Sequence, residues 1–194
     1  RKWTMKEGMG VIHEGENNTM WIGLRTGGLY KLDMHKGSAQ PEFQLPLPGI
    51  STIKQQGDTL WLGTAQGLCR MNVHVRKLDT VAGLKGMYIR SIYATHPGQL
   101  WITTYSDGFF LYDNGRLVKF PLDKDNFLST THTIFEDNKG FLWITTNKGL
   151  FQASKNDLLA YARGEQEQVY YYYYDKSSGF NTNEFNGGSD PGAV

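Results

Sequence analysis

Short runs of alternating apolar and polar residues fill most of the chain, and four of them contain the same tryptophan phrase. The phrase has an apolar residue on each side of the tryptophan and is followed by Gly or Thr. Its four tryptophans are Trp21, Trp61, Trp101 and Trp143. A repeat of about 40 residues that contains several short strands is typical of a β-propeller with four-stranded blades. The pattern therefore predicts an all-β propeller.

Every repeat shows the same order of strand signals. An alternating stretch, such as residues 89–93, predicts the inner strand of a blade, and the tryptophan phrase predicts the second strand. A glycine turn then leads to a third strand, such as residues 109–112, and a weaker fourth strand, such as residues 117–120, closes the blade. We expect the repeated tryptophan to pack between neighbouring sheets, where one ring can bury about 150 to 250 Å².

The repeats span about residues 10–48, 49–87, 88–130 and 131–153. Residues 154–164 then predict a helical insertion with a Ser or Asn cap and a Gly stop. Residues 165–194, which begin with a run of tyrosines, predict a partial fifth blade. Four blades and part of a fifth indicate a segment of a larger propeller, for example one of seven blades. Open strand edges favour self-association, so a homodimer is one expected assembly.

The composition narrows the choice of partners. Lys and Arg total 20 against 19 Asp and Glu, and no dense basic stretch occurs, so we expect no nucleic acid partner. Cys69 is the only cysteine, which excludes an intrachain disulfide. No apolar run approaches the roughly 18 to 20 residues of a membrane-spanning helix. Because the start Arg1-Lys2-Trp3 is neither an initiator Met nor a signal sequence, we expect this chain to be part of a longer protein.

The sequence contains no recognisable catalytic or metal-binding constellation, so we expect no catalytic residue, cofactor or metal in this segment. Five histidines lack metal-ligand spacing and are predicted to lie at the surface or in turns: His13, His35, His74, His96 and His132. Residues 123–126 begin like a calcium loop, but Leu128 stands where Gly is required. Glu184 and Asp190 form a conceivable glycosidase pair, although a Gly-rich loop fixes no distance between them. Three asparagines predict turns and could also line a pocket: Asn181, Asn183 and Asn186.

The candidate ligand-binding residues come from the geometry of propellers. Ligands bind propellers at the turns between strands two and three and at the start of the inner strands, because these loops converge at one end of the fold. The residues there include Arg25, Gln66, Arg90, Tyr105, Asp107 and Lys148. The third repeat places the ring of Tyr105 beside the carboxylate of Asp107, which suits stacking on a sugar while accepting hydroxyl hydrogen bonds. Ordinary loop variation is the alternative interpretation.

The tryptophan phrases resemble the two-component regulator propeller repeat. They read Met20-Trp21-Ile22-Gly23-Leu24, Leu60-Trp61-Leu62-Gly63-Thr64, Leu100-Trp101-Ile102-Thr103-Thr104 and Leu142-Trp143-Ile144-Thr145-Thr146, and each precedes a Gly-Leu or Gly-Phe pair. The resemblance covers about residues 10–153, and residues 174–188 are similar to the end of one propeller in the same proteins. Leu24 stands where Thr is usual, and Thr103 and Thr145 stand where Gly is usual.

The resemblance implies a function in signalling. Such repeats build the extracytoplasmic sensor regions of bacterial hybrid two-component histidine kinases, and similar sensors precede diguanylate cyclases. It implies a periplasmic location, with an immunoglobulin-like domain, a membrane helix and the signalling output further along the chain. The implied partners are a small solute such as an oligosaccharide, the remaining blades and the signalling domains, and the segment itself is not an enzyme. A propeller lyase or glycosidase and a protein-binding scaffold remain alternatives.

Overall fold

The computed structural model describes residues 8–34, 38–44, 49–185 and 187, with side chains for all of these except 38–44. The described residues form four antiparallel sheets of four strands, each sheet in simple meander order. This arrangement confirms the predicted all-β propeller architecture, in which each sheet is one blade.

The four sheets have the following strands. Sheet 1 contains β1 (Met9–Glu14), β2 (Thr19–Leu24), β3 (Gly28–Asp33) and β4 (Ser38–Gln44). Sheet 2 contains β5 (Ile50–Gln56), β6 (Thr59–Thr64), β7 (Gly67–Asn72) and β8 (Leu78–Thr80). Sheet 3 contains β9 (Ile89–His96), β10 (Gln99–Thr104), β11 (Phe109–Asp113) and β12 (Arg116–Lys119). Sheet 4 contains β13 (Thr131–Glu136), β14 (Phe141–Thr146), β15 (Leu150–Ser154) and β16 (Tyr172–Tyr174).

The chain divides into two compact units, which are described separately. Unit 1 consists mainly of Arg1–Ile89 and contains sheets 1 and 2. Unit 2 consists mainly of Arg90–Gly187 and contains sheets 3 and 4. Within unit 1, β5 lies against β1 and β2, and within unit 2, β13 lies against β10. The inner strand of one blade therefore contacts the preceding blade inside each unit.

One repeated tryptophan belongs to the apolar core of each unit, Trp21 in unit 1 and Trp101 in unit 2, whereas Trp143 is only partly buried. Trp21 is 1% exposed and joins apolar residues of both sheets of unit 1, among them Ile53 and Leu62. Trp101 is completely buried in unit 2, where its ring stacks on Phe120 with centroids 5.7 Å apart. The same core cluster includes Ile144 of sheet 4. The predicted location of these tryptophans between neighbouring sheets is confirmed for Trp21 and Trp101.

The position two residues after the tryptophan differs between the units for a structural reason. In unit 1 it is Gly23 or Gly63, and a Cβ on Gly23 would lie 2.7 Å from Cγ2 of Ile50. In unit 2 it is threonine, and the Thr103 hydroxyl donates a hydrogen bond to the His132 carbonyl oxygen at 2.9 Å. Glycine thus permits close strand contact in unit 1, whereas Thr103 bridges to the next inner strand in unit 2.

A threonine at the end of the second strand fixes the following turn in three of the four blades. Each threonine hydroxyl donates a hydrogen bond to the carbonyl oxygen of the glycine that follows the turn in the same blade. The pairs are Thr64 with Gly67 at 2.9 Å, Thr104 with Gly108 at 2.7 Å and Thr146 with Gly149 at 2.9 Å. Each hydroxyl also accepts a hydrogen bond from a turn N–H group. Leu24 takes this position in the first blade, where the turn is closed by a backbone bond from Gly27 N–H to the Leu24 carbonyl oxygen at 3.1 Å.

We expect the substitution Thr104→Val to destabilise unit 2 and to loosen the Tyr105–Asp107 turn. Thr104 is fully buried, so valine would leave the Asp107 N–H without its side-chain acceptor and remove the bond to Gly108. The expected loss of unfolding free energy is about 1.5 kcal/mol. Urea unfolding measures it, with the partly exposed Thr59→Val on β6 as the control. Equal stability of the two variants would contradict the role of the Thr104 hydroxyl.

The helical insertion is confirmed, and the tyrosine run corrects the predicted blade boundary. Helix α1 (Lys155–Arg163) begins after Ser154, whose side chain accepts a hydrogen bond from Asp157 N–H, and ends at Gly164 with φ 81°. The helix connects β15 to β16, and β16 pairs with β15 through Phe151 and Tyr173. The prediction that the tyrosine run opens a partial fifth blade is therefore wrong, because this run completes the fourth sheet after the insertion.

The residues after β16 contain a short 3₁₀ helix, Lys176–Ser178, and extend to Gly187. Asn186 and Asp190 lie outside the described residues, as does the rest of 188–194. In the described part of the chain, no helix has the length and apolar character that crossing a membrane requires.

Candidate functional site

The strand pairing places the predicted ligand-binding positions at one end of each blade. In sheet 2 the first residue of the inner strand, Ile50, pairs with Thr64 at the end of the second strand. In sheet 4 Thr131 pairs with Thr146 in the same way. The turn between strands two and three therefore lies beside the start of the inner strand in both blades, as predicted.

Unit 1 presents its two candidate residues on separate turns. Arg25 is exposed after β2, and its backbone N–H donates to the Gly8 carbonyl oxygen at 3.1 Å. Gln66 is exposed between β6 and β7, and its N–H donates to the Thr64 hydroxyl at 3.1 Å. Both side chains are presented by turns whose backbones are fixed by hydrogen bonds.

Unit 2 brings two of the candidate residues together and adds two more. The Arg90 guanidinium lies over the ring of Tyr105, with 5.8 Å from Cζ to the ring centroid. Nη2 of Arg90 is 3.3 Å from Nδ1 of His132. Nε2 of His132 is in turn 2.6 Å from Oδ1 of Asn147. We call these four residues, Tyr105, Arg90, His132 and Asn147, the polar cluster.

Asp107 and Lys148 lie on the turns that carry the cluster. The Asp107 carboxylate accepts a hydrogen bond from the neighbouring Ser106 hydroxyl at 3.1 Å. Lys148 is exposed, and its carbonyl oxygen accepts a hydrogen bond from the Tyr173 hydroxyl at 2.6 Å. The side chain of Tyr105 is 50% exposed, so one residue of the cluster is open to solvent beside the Asp107 carboxylate.

His132 was predicted to lie at the surface or in a turn, and this prediction is wrong. His132 is only 4% exposed, because it lies on an inner strand against the Thr103 side chain and Asn147. The surface prediction is correct for His74 and His96, and His35 lies outside the described residues. A sequence signal was present, because His132 occupies the position in its inner strand that Arg90 occupies in the preceding one.

The hydrogen bonds of His132 fit a neutral imidazole. An N–H at Nε2 donates to Asn147 Oδ1, which leaves Nδ1 to accept from the Arg90 guanidinium. Burial is the largest influence on His132 and lowers its pKa below 6.5. The hydrogen bond to Asn147 raises the pKa, the charge of Arg90 lowers it and the charge of Glu184 raises it. The net direction is downward.

The lowered pKa of His132 predicts a loss of stability in mild acid. The unfolded chain takes up a proton as the pH falls through about 6.5, whereas folded His132 stays neutral to a lower pH. The stability present above pH 6.5 is therefore lost as the pH falls toward the folded pKa. Urea unfolding from about pH 7.5 to about pH 5.5 measures this slope, which is at most about 1.4 kcal/mol per pH unit for one group.

One histidine variant isolates this contribution. We expect His132→Gln to flatten the slope, because glutamine offers a donor and an acceptor but does not titrate. Identical slopes in His132→Gln and the wild type would contradict a neutral His132 in the fold.

A C-terminal segment lies against the polar cluster. The Phe185 N–H donates to the Thr146 carbonyl oxygen at 3.1 Å. A Cβ on Gly187 would lie 2.6 Å from Arg90 Nη2 and 2.7 Å from His132 Nδ1, so only glycine fits there without displacing the cluster. This contact was not predicted from the sequence, since it joins positions more than 40 residues apart in a loop without strand pattern.

The described residues contain no group of three or more His, Cys, Asp or Glu side chains close enough to hold a metal ion. Cys69 is buried, and burial raises the pKa of its thiol. The polar cluster offers a ligand an aromatic ring, hydrogen-bonding groups and the charge of Arg90.

Four antiparallel four-stranded sheets, each one blade, place this chain in the class of β-propellers. Residues 83–106 match the model of the family described as two component regulator propeller. These residues include the third tryptophan phrase and the turn residue Tyr105. The predicted resemblance to the two-component regulator propeller family is confirmed.

Solved structures support the same conclusion. The extracellular domain of a hybrid two-component system from B. thetaiotaomicron is 29% identical over 77% of this chain, with a TM-score of 0.65. A second such domain from B. thetaiotaomicron is 18% identical over 77% of this chain, also with a TM-score of 0.65, which shows the fold. Virginiamycin B lyase from Staphylococcus aureus is 13% identical over 84% of this chain and 55% of its own, with a TM-score of 0.64, and again shows the fold alone.

The chain spans 22% of the length of both B. thetaiotaomicron domains. The comparison with curated proteins gives no match.

Proposed function

We propose that this chain is a ligand-recognising part of the extracytoplasmic sensor region of a bacterial two-component receptor of the hybrid histidine kinase type. The observation that carries the proposal is the polar cluster at the loop end of unit 2. The likeness of the chain to extracellular domains of hybrid two-component systems supports the same function. A periplasmic location follows from this proposal.

The proposed ligand is a small solute with several hydroxyl groups, such as an oligosaccharide. The ring of Tyr105 offers a face for stacking, and the neighbouring Asp107 carboxylate accepts hydrogen bonds from hydroxyl groups. Arg90 donates hydrogen bonds from a guanidinium that its contact with His132 holds in place. Lys148 is proposed as a further contact of this ligand in unit 2. Arg25 and Gln66 are proposed as ligand contacts of unit 1, taken separately from the polar cluster.

Signal transfer in this proposal requires partners outside the segment. The proposed partners are the remaining blades of the propeller, the signalling domains of the same protein and, in a homodimer, a second copy. A ligand changes the output only if it binds one arrangement of the receptor more tightly than another. A coupling free energy of roughly 1 to 3 kcal/mol gives a useful response. The output is a histidine kinase in the proposed receptor and a diguanylate cyclase in the related alternative.

Calorimetric titration with a panel of oligosaccharides tests the proposed ligand class. We expect saturable binding to at least one of them, weakened about fivefold to tenfold by Tyr105→Leu because a stacking face is lost. Asp107→Asn should also lower the affinity for the oligosaccharide, since an amide oxygen accepts hydrogen bonds less strongly than a carboxylate.

Tyr172→Leu is the matched control, because Tyr172 is 61% exposed on the outer strand of the same unit. An oligosaccharide affinity that is unchanged in both Tyr105→Leu and Asp107→Asn would contradict the proposed site. Turnover of an oligosaccharide during the titration would instead favour the propeller lyase or glycosidase alternative.

A further inference from the structure

A cavity of about 270 Å³ lies in unit 2. It opens between the loop after β12 and the tyrosine-rich segment that leads into β16. Four aromatic rings are part of its lining: Phe127, Tyr171, Tyr173 and Phe151, of which Phe151 is only 2% exposed. We call this space the tyrosine cavity. None of its lining residues is a member of the polar cluster.

The rings of the tyrosine cavity meet at different angles. The centroids of Phe151 and Tyr173 are 4.9 Å apart with an interplanar angle of 40°. Phe127 and Tyr173 are 5.8 Å apart at 49°, and Phe151 and Tyr171 are 6.4 Å apart at 87°. These four rings line the cavity at inclined angles rather than as a flat stack, and we call them the box.

Hydrogen bonds hold the box in place. The Tyr171 hydroxyl donates to the Pro121 carbonyl oxygen at 2.8 Å, and the Tyr173 hydroxyl donates to the Lys148 carbonyl oxygen at 2.6 Å. Because both hydroxyl protons are engaged by the backbone, these tyrosines offer a ligand mainly their ring faces. Fixed rings also reduce the ordering cost of binding.

The rim of the cavity is acidic. Asp123 and Asp125 flank a single cation, Lys124. The Asp123 carboxylate is fixed by hydrogen bonds from the backbone N–H groups of Leu128 at 2.7 Å and Asp125 at 3.0 Å. Burial, followed by the charges of Asp175, Asp123 and Asp125, raises the pKa of the Tyr173 hydroxyl. With two carboxylates against one ammonium group, the charged residues that line the cavity are negative in sum.

We propose that the tyrosine cavity binds a small organic cation with an alkylammonium group. Ring faces carry negative charge density and attract a cation within about 6 Å of their centroids, and a box of several rings satisfies a quaternary ammonium on several sides. The acidic rim adds attraction, and the cavity volume suits a ligand smaller than drug size.

Calorimetric titration of the protein with choline, and separately with 3,3-dimethylbutan-1-ol, tests this proposal. The alcohol has the shape of choline but no charge. We expect choline to bind saturably and the alcohol to bind about tenfold more weakly or not at all. Equal affinities would show a purely apolar pocket, and failure of choline to bind would overturn the proposal.

Rim variants test the charge without disturbing the aromatic core. Asp125 and Lys124 are exposed, so Asp125→Asn and Lys124→Gln are expected to leave folding unchanged. Asp125→Asn should weaken choline binding about threefold and Lys124→Gln should strengthen it by a similar factor, since an exposed charge contributes modestly. Changes of the same sign in both variants, or no change in either, would contradict a site selective for cations.

The ring variant Tyr173→Leu should weaken choline binding about tenfold. Tyr172→Leu on the same strand is the matched control, because Tyr172 does not line the cavity, and it should bind choline like the wild type. Equal loss in both variants would contradict binding inside the cavity. Choline binding that is unchanged in Tyr105→Leu, the variant expected to weaken oligosaccharide binding, would separate this site from the proposed sensor site.

Discussion

The substitution Trp101→Ala is expected to cause the largest loss of stability of any single change in unit 2. Trp101 is completely buried, stacks on Phe120 and shares its core cluster with residues of both sheets of the unit. Alanine would leave a cavity where two blades meet, at a cost of about 3 to 5 kcal/mol. Thermal unfolding followed by near-UV circular dichroism should show a Tm lowered by roughly 10 °C or more.

The control for Trp101→Ala is Tyr172→Ala, which removes an aromatic ring that is 61% exposed on β16. This change should alter the unfolding free energy by no more than about 0.5 kcal/mol. Similar Tm values for the two variants would contradict the assignment of the repeated tryptophan to the core between blades.

The substitution Gly63→Val should cause a comparable loss in unit 1, by overpacking rather than by a cavity. A Cβ on Gly63 would collide with Cγ2 of Thr52 and lie 2.8 Å from Cγ2 of Ile89. Thr52 and Ile89 are themselves fully buried, so neither can move aside cheaply. We expect a loss of about 3 kcal/mol in urea unfolding.

Gly8→Ala is the control for Gly63→Val, since the nearest atom to an added Cβ at Gly8 is Cδ of the Arg25 side chain at 3.9 Å. This variant should be as stable as the wild type or slightly more stable, because alanine reduces the freedom of the unfolded chain. A stable Gly63→Val variant would show that Thr52 and Ile89 pack loosely around Gly63.

The repeat itself could be predicted well because it is a local and periodic signal. The tryptophan phrases located β2, β6, β10 and β14, and the Ser154 and Gly164 caps located helix α1. The pairing of the tyrosine run with β15 could not be predicted in the same way. The helix separates β15 from β16, and a strand that pairs across such an insertion leaves no periodic trace in the sequence.

The candidate site was predicted only in part. Loop position selected Arg90 and Tyr105, which lie together in the structure, and their role in ligand binding stays a prediction. It gave no indication that His132 is buried or that Asn147 fixes it, because burial on an inner strand depends on packing from the neighbouring blade. The contact of Gly187 with the cluster depends likewise on tertiary structure.

The coding sequence on both sides of this segment tests the proposed sensor function most directly. The proposal predicts a signal peptide upstream, and a membrane-spanning helix followed by a histidine kinase or a diguanylate cyclase downstream. A stop codon soon after Val194, in a reading frame without any membrane segment, would contradict the receptor and favour an enzyme or a scaffold.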